Sequence, residues 1–332
     1  MSASAPVADV HLEQVQSLRF DDMDAMASAL NGDLVDFIPI GAGRFQGRVS
    51  RIDLGSVDIR RVVHAPFLVH GEVPSNQVAL NLQEGPSRGL TLNGDALDTP
   101  TLAVLPEGAA IQAVCPTEQD RIGLVFRAEE FDRLIEVYGV QAFPRGQHRM
   151  LHLHENQASR LVRTFTTITD LADNMPNLFA VPGLGKAMTE ECHRVLAAVL
   201  FGGEDHLERP RQTKDMLRQV RAADEFLHTN IDHPVYTSEL CAALQVSART
   251  LHQSFAAVYG MSPQAYLKRR RLVLVHRALR STRDDHTMVK SVVLAHGFFH
   301  LGRFAHEYAA MFGEMPSETL GKGYDRRRPM VA

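Results

Sequence analysis

The chain has 332 residues, of which 45% are hydrophobic and 22% charged, a balance typical of folded globular proteins rather than of disordered ones. Its length favours two domains. Because the sequence has no run of about 18 apolar residues, we expect no membrane-spanning helix and no membrane partner. Three scattered cysteines without CxxC spacing, and an N-terminus without a secretion signal, predict a reducing, cytoplasmic location and no disulfide framework.

Charge is distributed unevenly along the chain. Residues 211–332 contain 18 of the 35 Lys and Arg residues but 11 of the 39 Asp and Glu residues, a balance of +7, against −11 for the rest of the chain. Such asymmetry predicts that the C-terminal part binds a polyanion, and a chance imbalance is the alternative.

The N-terminal part is rich in predicted strands. Residues 45–127 contain seven short segments with alternating hydrophobicity, separated by clusters of Gly, Pro, Asn and Asp. This pattern predicts an antiparallel barrel or sandwich. Apolar stripes at helical spacing predict helices at 128–138, 157–173 and 184–201.

A short polar segment at 204–212, which contains Pro210, predicts a linker. Beyond it the sequence carries helical patterns only. A helix is predicted at about 213–229, followed by short helices, with one longer helix at about 264–280. Short helices joined by tight turns are typical of compact DNA-binding modules.

An internal repeat is the strongest feature of the sequence. Leu251–Pro263 realigns with Phe304–Pro316 at a constant offset of 53 residues, with both alanines, the glycine and the proline identical. Each copy predicts a helix, a tight turn, a second helix and a Gly-x-x-Pro stop, which is a helix-turn-helix. Ser247 is placed to cap the second helix of the first copy.

The C-terminal 120 or so residues resemble the AraC/XylS transcription regulators, in which two helix-turn-helix units flank a linking helix. The residues that carry the resemblance are Leu240, Ala243, Leu244, Val246, Ser247, Arg249, Thr250, Leu251, Phe255, Gly260, Ser262, Pro263, Tyr266, Arg271 and Leu272 in the first part, and Gly297, Phe298, Phe304, Phe312, Gly313, Pro316 and Ser317 in the second. The string from Gly297 to Ala305 is most similar to a branch that includes regulators of benzoate or toluate degradation and of ethanolamine utilisation.

The resemblance implies an α+β multidomain fold. A cupin-like antiparallel β-barrel with dimerisation helices is expected at 1–203 and a linker at 204–212. An all-α DNA-binding domain is expected at 213–325, with helix-turn-helix units at about 237–258 and 289–311. The implied function is that of an effector-responsive activator of a catabolic operon. The implied partners are double-stranded promoter DNA, a small-molecule effector, RNA polymerase and a second copy in a homodimer. No cofactor and no catalytic residue are predicted.

Residues on the two recognition helices are predicted to contact bases, and residues on the linking helix are predicted to contact phosphates. A recognition helix reads base edges from its N-terminal half, and phosphate contacts supply affinity without sequence choice. Solvated surface side chains are the alternative for each position. The full set is Ser247, Arg249, Thr250, His252 and Gln253 in the first unit, Lys268, Arg269 and Arg270 on the linking helix, and His300, Gly302, Arg303 and His306 in the second unit.

Arg61 and His64 are predicted to contact the effector. Arg61 shares one face of a strand with Val57, Ile59 and Val63, and a cation on an apolar face requires a partner, such as an anionic effector. An arginine that reaches the rim or pairs within the protein is the alternative.

An enzyme is the runner-up interpretation. His148, His152 and His154 suggest a metal site and hence a barrel dioxygenase fused to a DNA-binding module, but they follow the strand-rich segment and no second histidine motif follows them. A third reading, an architectural DNA-coating protein, would not need an acidic, strand-rich domain.

Overall fold

The structure, a computed structural model, describes residues 15–31, 35–83, 89–97, 99–139, 148–202, 204–205, 211–230, 234–282 and 288–325. The strands are β1 (Val15–Phe20), β2 (Val35–Pro39), β3 (Gly47–Asp53), β4 (Val57–His64), β5 (Phe67–Glu72), β6 (Gln77–Gln83), β7 (Thr91–Leu92), β8 (Asp95–Ala96), β9 (Thr101–Leu105), β10 (Ala110–Cys115), β11 (Gln119–Arg127), β12 (Arg149–His152) and β13 (Glu204–Asp205).

The helices are α1 (Met23–Asn31), α2 (Ala128–Tyr138), α3 (Glu155–Asn174), α4 (Leu184–Gly202), α5 (Arg211–Thr229), α6 (Thr237–Leu244), α7 (Ala248–Tyr259), α8 (Pro263–Ser281), α9 (Val289–Ala295), α10 (Leu301–Phe312) and α11 (Pro316–Asp325). The helices expected from apolar spacing are therefore present, with ends displaced by a few residues. None of the described helices combines the length and the apolar character that crossing a bilayer requires.

The strands form two antiparallel sheets. One has the order β1-β3-β4-β11-β6-β9-β12-β13 and the other β2-β5-β10-β7-β8. In the first, Ile59 of β4 lies opposite Ile52 on one side and Leu124 on the other. The mixed fold with a β-rich N-terminal part and a helical C-terminal part is confirmed. The prediction of a closed barrel is wrong for the described strands, because β1 and β13 remain as unpaired edges of the larger sheet. Alternating hydrophobicity predicts where strands occur but not the order in which they pair.

The two faces of the eight-stranded sheet belong to different cores. The face that carries Val57 and Ile59 packs against α2, α3 and α4, whose Phe131, Phe165 and Leu196 are 2%, 0% and 0% exposed. The other core runs without interruption from the five-stranded sheet into α5–α10, as its members Phe37, Phe67, Leu251 and Phe304 indicate. The helical C-terminal part is thus packed onto the strand-rich part.

A buried carboxylate attaches α5 to the first helix-turn-helix unit. Asp224 is 2% exposed and accepts hydrogen bonds from the hydroxyls of Tyr259 and Tyr266, each at 2.6 Å. The two tyrosine rings stack with centroids 4.9 Å apart. Burial, with the adjacent Asp224 carboxylate, raises the pKa of both tyrosines well above the ordinary value, so they act as hydrogen-bond donors.

Candidate DNA interface

The first unit consists of α6 and α7, joined by a tight turn. Gln245 ends α6 with φ of +53°, the left-handed conformation that the turn requires. Ser247 then caps α7, because its Oγ accepts a hydrogen bond from the Thr250 N–H at 3.1 Å. The predicted cap is confirmed. Leu251 and Phe255 are both 0% exposed and anchor α7 to the core.

The opposite face of α7 is open to solvent. Arg249, His252 and Gln253 are all exposed on it. The Oγ atoms of Ser247 and Thr250 lie 2.8 Å apart, so these two hydroxyls also stabilise the start of the helix. The structure therefore presents the three longer side chains together, next to a capped helix N-terminus.

The second unit consists of α9 and α10 and repeats the same turn. Gly297 stands at the left-handed position with φ of +75°, and a Cβ there would lie 3.2 Å from Nη1 of Arg271 and 3.3 Å from Pro234. The backbone conformation favours glycine, and the close approach of Arg271 and Pro234 leaves little room for a side chain, unlike at Gln245 of the first unit. Phe298 follows and packs on Phe304, with ring centroids 5.0 Å apart.

The exposed face of α10 carries His300, Gly302, Arg303 and His306. Arg303 Nε donates to Glu307 Oε1 at 3.0 Å. The predicted reading face of this helix is therefore exposed, and its arginine pairs with a carboxylate of the same helix.

Glu307 links this face to α8. Lys268 Nζ donates to the same Glu307 oxygen at 2.9 Å, so one carboxylate holds two cations. Burial alone raises the pKa of Glu307, but the hydrogen bonds from Lys268 and Arg303 outweigh it and the pKa is lowered. Sequence reasoning missed Glu307, although its i, i+4 spacing from Arg303 was a usable signal.

Arg271 of α8 holds the two units together. Its Cζ lies 5.7 Å from the ring centroid of Tyr236 at the start of α6 and 5.1 Å from that of Phe298 after α9. Nη1 also donates to the Gly297 carbonyl at 3.5 Å. Burial lowers the pKa of this guanidinium. Arg271 therefore acts within the domain.

Two of the predicted phosphate partners face the protein instead. Arg270 is 6% exposed and its Nη1 lies 3.7 Å from Asp36 Oδ2 on β2. Arg269 is partly buried and its Nη1 donates to the Pro39 carbonyl at 3.1 Å. Phosphate contact is therefore wrong for Arg270, which the packing of α8 against β2 buries, and it stays a prediction for Arg269, which is only partly buried. Lys268 remains accessible, with 39% of its side chain exposed.

Further basic residues of α8 complete this contact. Arg277 donates to Asp24 at 2.7 Å and to Asp36 at 3.0 Å, and Arg280 pairs with Asp22. We name the set of Asp22, Asp24, Asp36, Arg270, Arg277 and Arg280 the α8 clamp. The sequence offered no signal for it, because a pairing between distant segments depends on how the two parts pack.

Arg61 and His64 point to opposite faces of β4. Arg61 donates to Asp120 at 2.8 and 2.9 Å and to Asp170 on α3 at 2.8 Å, on the face that the helices cover. His64 is 1% exposed and its ring stacks on Phe67 at a centroid distance of 3.9 Å. Burial lowers the pKa of His64 to about 3, so the ring is neutral. The internal pairing that was the alternative for Arg61 is the one found.

A cavity of about 120 Å³ is lined by both sheets. Phe37, Val69 and Ile111 contribute apolar walls, and Arg60 and Arg121 contribute cations. Arg121 Nε is buried and has no hydrogen-bond partner within the described residues. Arg61 does not line this cavity, since it lies on the other face of its strand.

The histidines of the metal hypothesis have other neighbours. His148 Nδ1 lies 3.2 Å from Asn93 Nδ2, and His152 Nδ1 lies 3.0 Å from Thr99 Oγ1. His154 begins α3 as its N-cap residue. Across the described residues, no group of three or more potential ligands is placed to hold a metal ion.

Comparison with known proteins supports the reading of the C-terminal part. A family model described as a helix-turn-helix domain matches residues 240–322. The XylDLEGF operon transcriptional activator 2 of Pseudomonas putida is 33% identical over 96 residues, 29% of this chain and 61% of that protein. The probable thc operon regulatory protein of Rhodococcus erythropolis is 29% identical over 147 residues, 44% of each chain.

A solved structure of a probable AraC family transcriptional regulator from Rhodopseudomonas palustris is 38% identical, and the match covers 34% of this chain and 99% of that one, with a TM-score of 0.30. The chain spans less than two thirds of the length of the curated relatives it matches.

The paired units on a shared helix, with a matching domain model, define a helix-turn-helix DNA-binding protein. The sequence similarity places this part further: it is similar to the DNA-binding part of the AraC/XylS transcriptional regulators, to which the XylDLEGF operon activators belong.

Proposed function

We propose that this protein is a sequence-specific transcriptional regulator that binds double-stranded promoter DNA and activates a catabolic operon in response to a small-molecule effector. The observation that carries the proposal is the duplicated unit. Two recognition helices, α7 and α10, expose polar faces while α8 and Arg271 hold them in one domain. A regulator of this kind also has RNA polymerase as a partner.

Within this function, Arg249 and Arg303 read guanines through bidentate hydrogen bonds and Gln253 pairs with adenine. Lys268 binds a phosphate and supplies affinity rather than sequence choice. The helices insert into successive major grooves on one side of the duplex, about 34 Å apart. The capping hydroxyls of Ser247 and Thr250 and the histidines His252, His300 and His306 complete the contact surface.

Selection of full-length protein on a randomised duplex library, followed by footprinting, tests the proposal. We expect one discrete protected site with two short elements about one helical turn apart. Arg249→Ala should relax the preference within its own element, at a cost of about 1–3 kcal/mol. Arg218→Ala, which removes an exposed arginine of α5 paired with Asp215, is the matched control and should leave selectivity unchanged. Uniform, salt-sensitive coating without a preferred sequence would refute the proposal.

We further propose the cavity between the two sheets as the effector site, with an anionic effector. Support comes from its apolar walls and from the unpartnered Nε of Arg121, because a buried N–H on a cationic group favours an anionic acceptor. A thermal-shift screen of small aromatic acids, with amines and alcohols as controls, tests this class. Arg121→Met should abolish the shift produced by an acid, whereas Arg61→Ala should retain it. Shifts from amines alone would refute it.

The remaining proposals concern organisation. We infer a sensing and dimerisation part at 1–203, a linker at 204–212 and a DNA-binding part at 213–325. The first two residues of this linker form β13 and its last two begin α5. A homodimer through α3 and α4 is supported by exposed apolar side chains near these helices, on Met175 and Val181 between them and on Val137 of α2. Sedimentation of the full chain tests the dimer, which charged substitutions at these positions should dissociate. Residues 206–210 of the linker lie outside the described residues.

A further inference from the structure

The start of α10 presents apolar side chains that the packing of the protein does not explain: Phe299 lies two residues before the helix, and Leu301 begins its first turn. Phe299 is 71% exposed and Leu301 is 37% exposed. The preceding aromatic residue, Phe298, already fills the core position and is 9% exposed. Folding therefore does not require an aromatic side chain at Phe299, and an exposed apolar surface next to a recognition helix indicates a binding partner.

A second, independent observation concerns Gly302, on the same turn. A Cβ built at this residue meets no atom within 4 Å, and the backbone φ is not in the left-handed region. Neither crowding nor conformation calls for glycine, and within a helix glycine is less favourable than alanine. Folding alone would thus favour a side chain here, whereas a surface that must approach another molecule closely favours none.

We propose that the start of α10 docks closely in the major groove, where Phe299, two residues before the helix, contacts the 5-methyl groups of thymines and Gly302 leaves room for the approach. Thymine presents its methyl group in the major groove, and phenylalanine is among the side chains that contact it there. Leu301 extends the apolar surface, and Arg303 lies one residue beyond Gly302. The same short segment therefore offers an apolar surface to a thymine methyl group and a hydrogen-bond donor to a neighbouring base. The inference rests on the proposed function and adds a specificity determinant to it.

Replacement of thymine by uracil in the selected duplex tests the contact, since it removes the methyl group and leaves base pairing intact. We expect full-length wild-type protein to bind about fourfold more weakly when a contacted thymine of the α10 element is replaced, the equivalent of about 0.8 kcal/mol for one buried methyl group. Phe299→Ala should bind the thymine and uracil duplexes equally. Met315→Ala, which shortens an apolar side chain that is 45% exposed, is the matched control and should keep the wild-type sensitivity.

Gly302→Ala separates folding from binding. We expect the variant to unfold at a higher temperature than the wild type and to bind the selected duplex more weakly, a combination that a purely structural role for Gly302 would not produce. A variant that is more stable and binds as tightly as the wild type overturns the close approach.

The remaining outcomes are also decisive. If the wild-type protein selects no sequence, the proposed function and this inference both fail. If it selects a sequence but tolerates uracil throughout the α10 element, or if Phe299→Ala remains sensitive to uracil, only the inference fails. If Phe299→Ala binds DNA normally and loses transcription activation, the surface belongs to a protein partner and the inference is refuted.

Discussion

Removal of one carboxylate from the α8 clamp is expected to destabilise the whole chain. Asp36 is shared by Arg277 at 3.0 Å and Arg270 at 3.7 Å, with side-chain exposures of 21%, 29% and 7% respectively. Burial by itself raises the pKa of Asp36, but the two arginines outweigh it and the pKa is lowered, so the group is ionised in the folded protein. Asp36→Asn therefore removes a charge from a site that holds two cations.

The magnitude follows from the burial of Arg270. Removal of one member of a buried ion pair costs about 3–5 kcal/mol, because the other charge stays buried without a counter-charge. Asparagine retains an acceptor for Arg277, so we expect the low end of this range, about 3 kcal/mol. Asp24→Asn is the control for the same change of charge. Asp24 also pairs with Arg277 but is 37% exposed, and a more exposed pair is worth about 1 kcal/mol or less.

Urea unfolding followed by circular dichroism measures both variants against the wild type. A third variant, Asp36→Asn with Arg270→Met, also removes the Arg270 charge that Asp36→Asn leaves buried without a counter-charge. We expect it to recover most of the lost stability. The reasoning is refuted if Asp36→Asn destabilises no more than Asp24→Asn, or if the double variant is no more stable than Asp36→Asn alone.

Three further predictions concern the interface and its support. Gly297→Ala should destabilise by about 1–3 kcal/mol, because it places a side chain at φ of +75° with an arginine nitrogen 3.2 Å away; an unchanged melting temperature would contradict this. Glu307→Gln should raise DNA affinity at low salt and steepen the salt slope by about one unit, because Lys268 is then free to pair with a phosphate; weaker binding in a titration at several salt concentrations would contradict this. Burial lowers the pKa of His276 to about 4. The unfolded state therefore binds this proton at a higher pH than the folded state, and the free energy of unfolding falls as the pH is lowered from 6.5 towards 4. The free energy of unfolding should therefore drop between pH 7 and pH 5 by about 2 kcal/mol less in His276→Gln than in the wild type. An equal drop in the wild type and the variant, measured by urea unfolding at both pH values, would contradict this.

Local features of the C-terminal part were predictable from the sequence. The repeat at an offset of 53 residues identified both units and, within them, α7 and α10. Ser247 caps its helix as expected. These features depend on interactions within a few residues along the chain, namely helix periodicity, capping and the conformation of a tight turn, so residue types and spacing are sufficient to predict them.

Side-chain partners across the chain required the tertiary structure. The alternating hydrophobicity of β4 placed Arg61 on the same face as Val57 and Ile59. It did not show whether this face lines a cavity or packs against α3, which supplies Asp170. Likewise, a run of four basic residues on α8 predicted DNA contact for Arg270, whereas the fold buries it.

The sequence by itself thus determined the helices, their caps and the duplicated unit, and the tertiary structure decided which charges pair and which remain available to DNA. Arg277 meets a carboxylate 253 residues away in sequence. The physical reason is that such a pairing is a property of two surfaces brought together by burial of their apolar neighbours, and no local pattern records which surfaces meet.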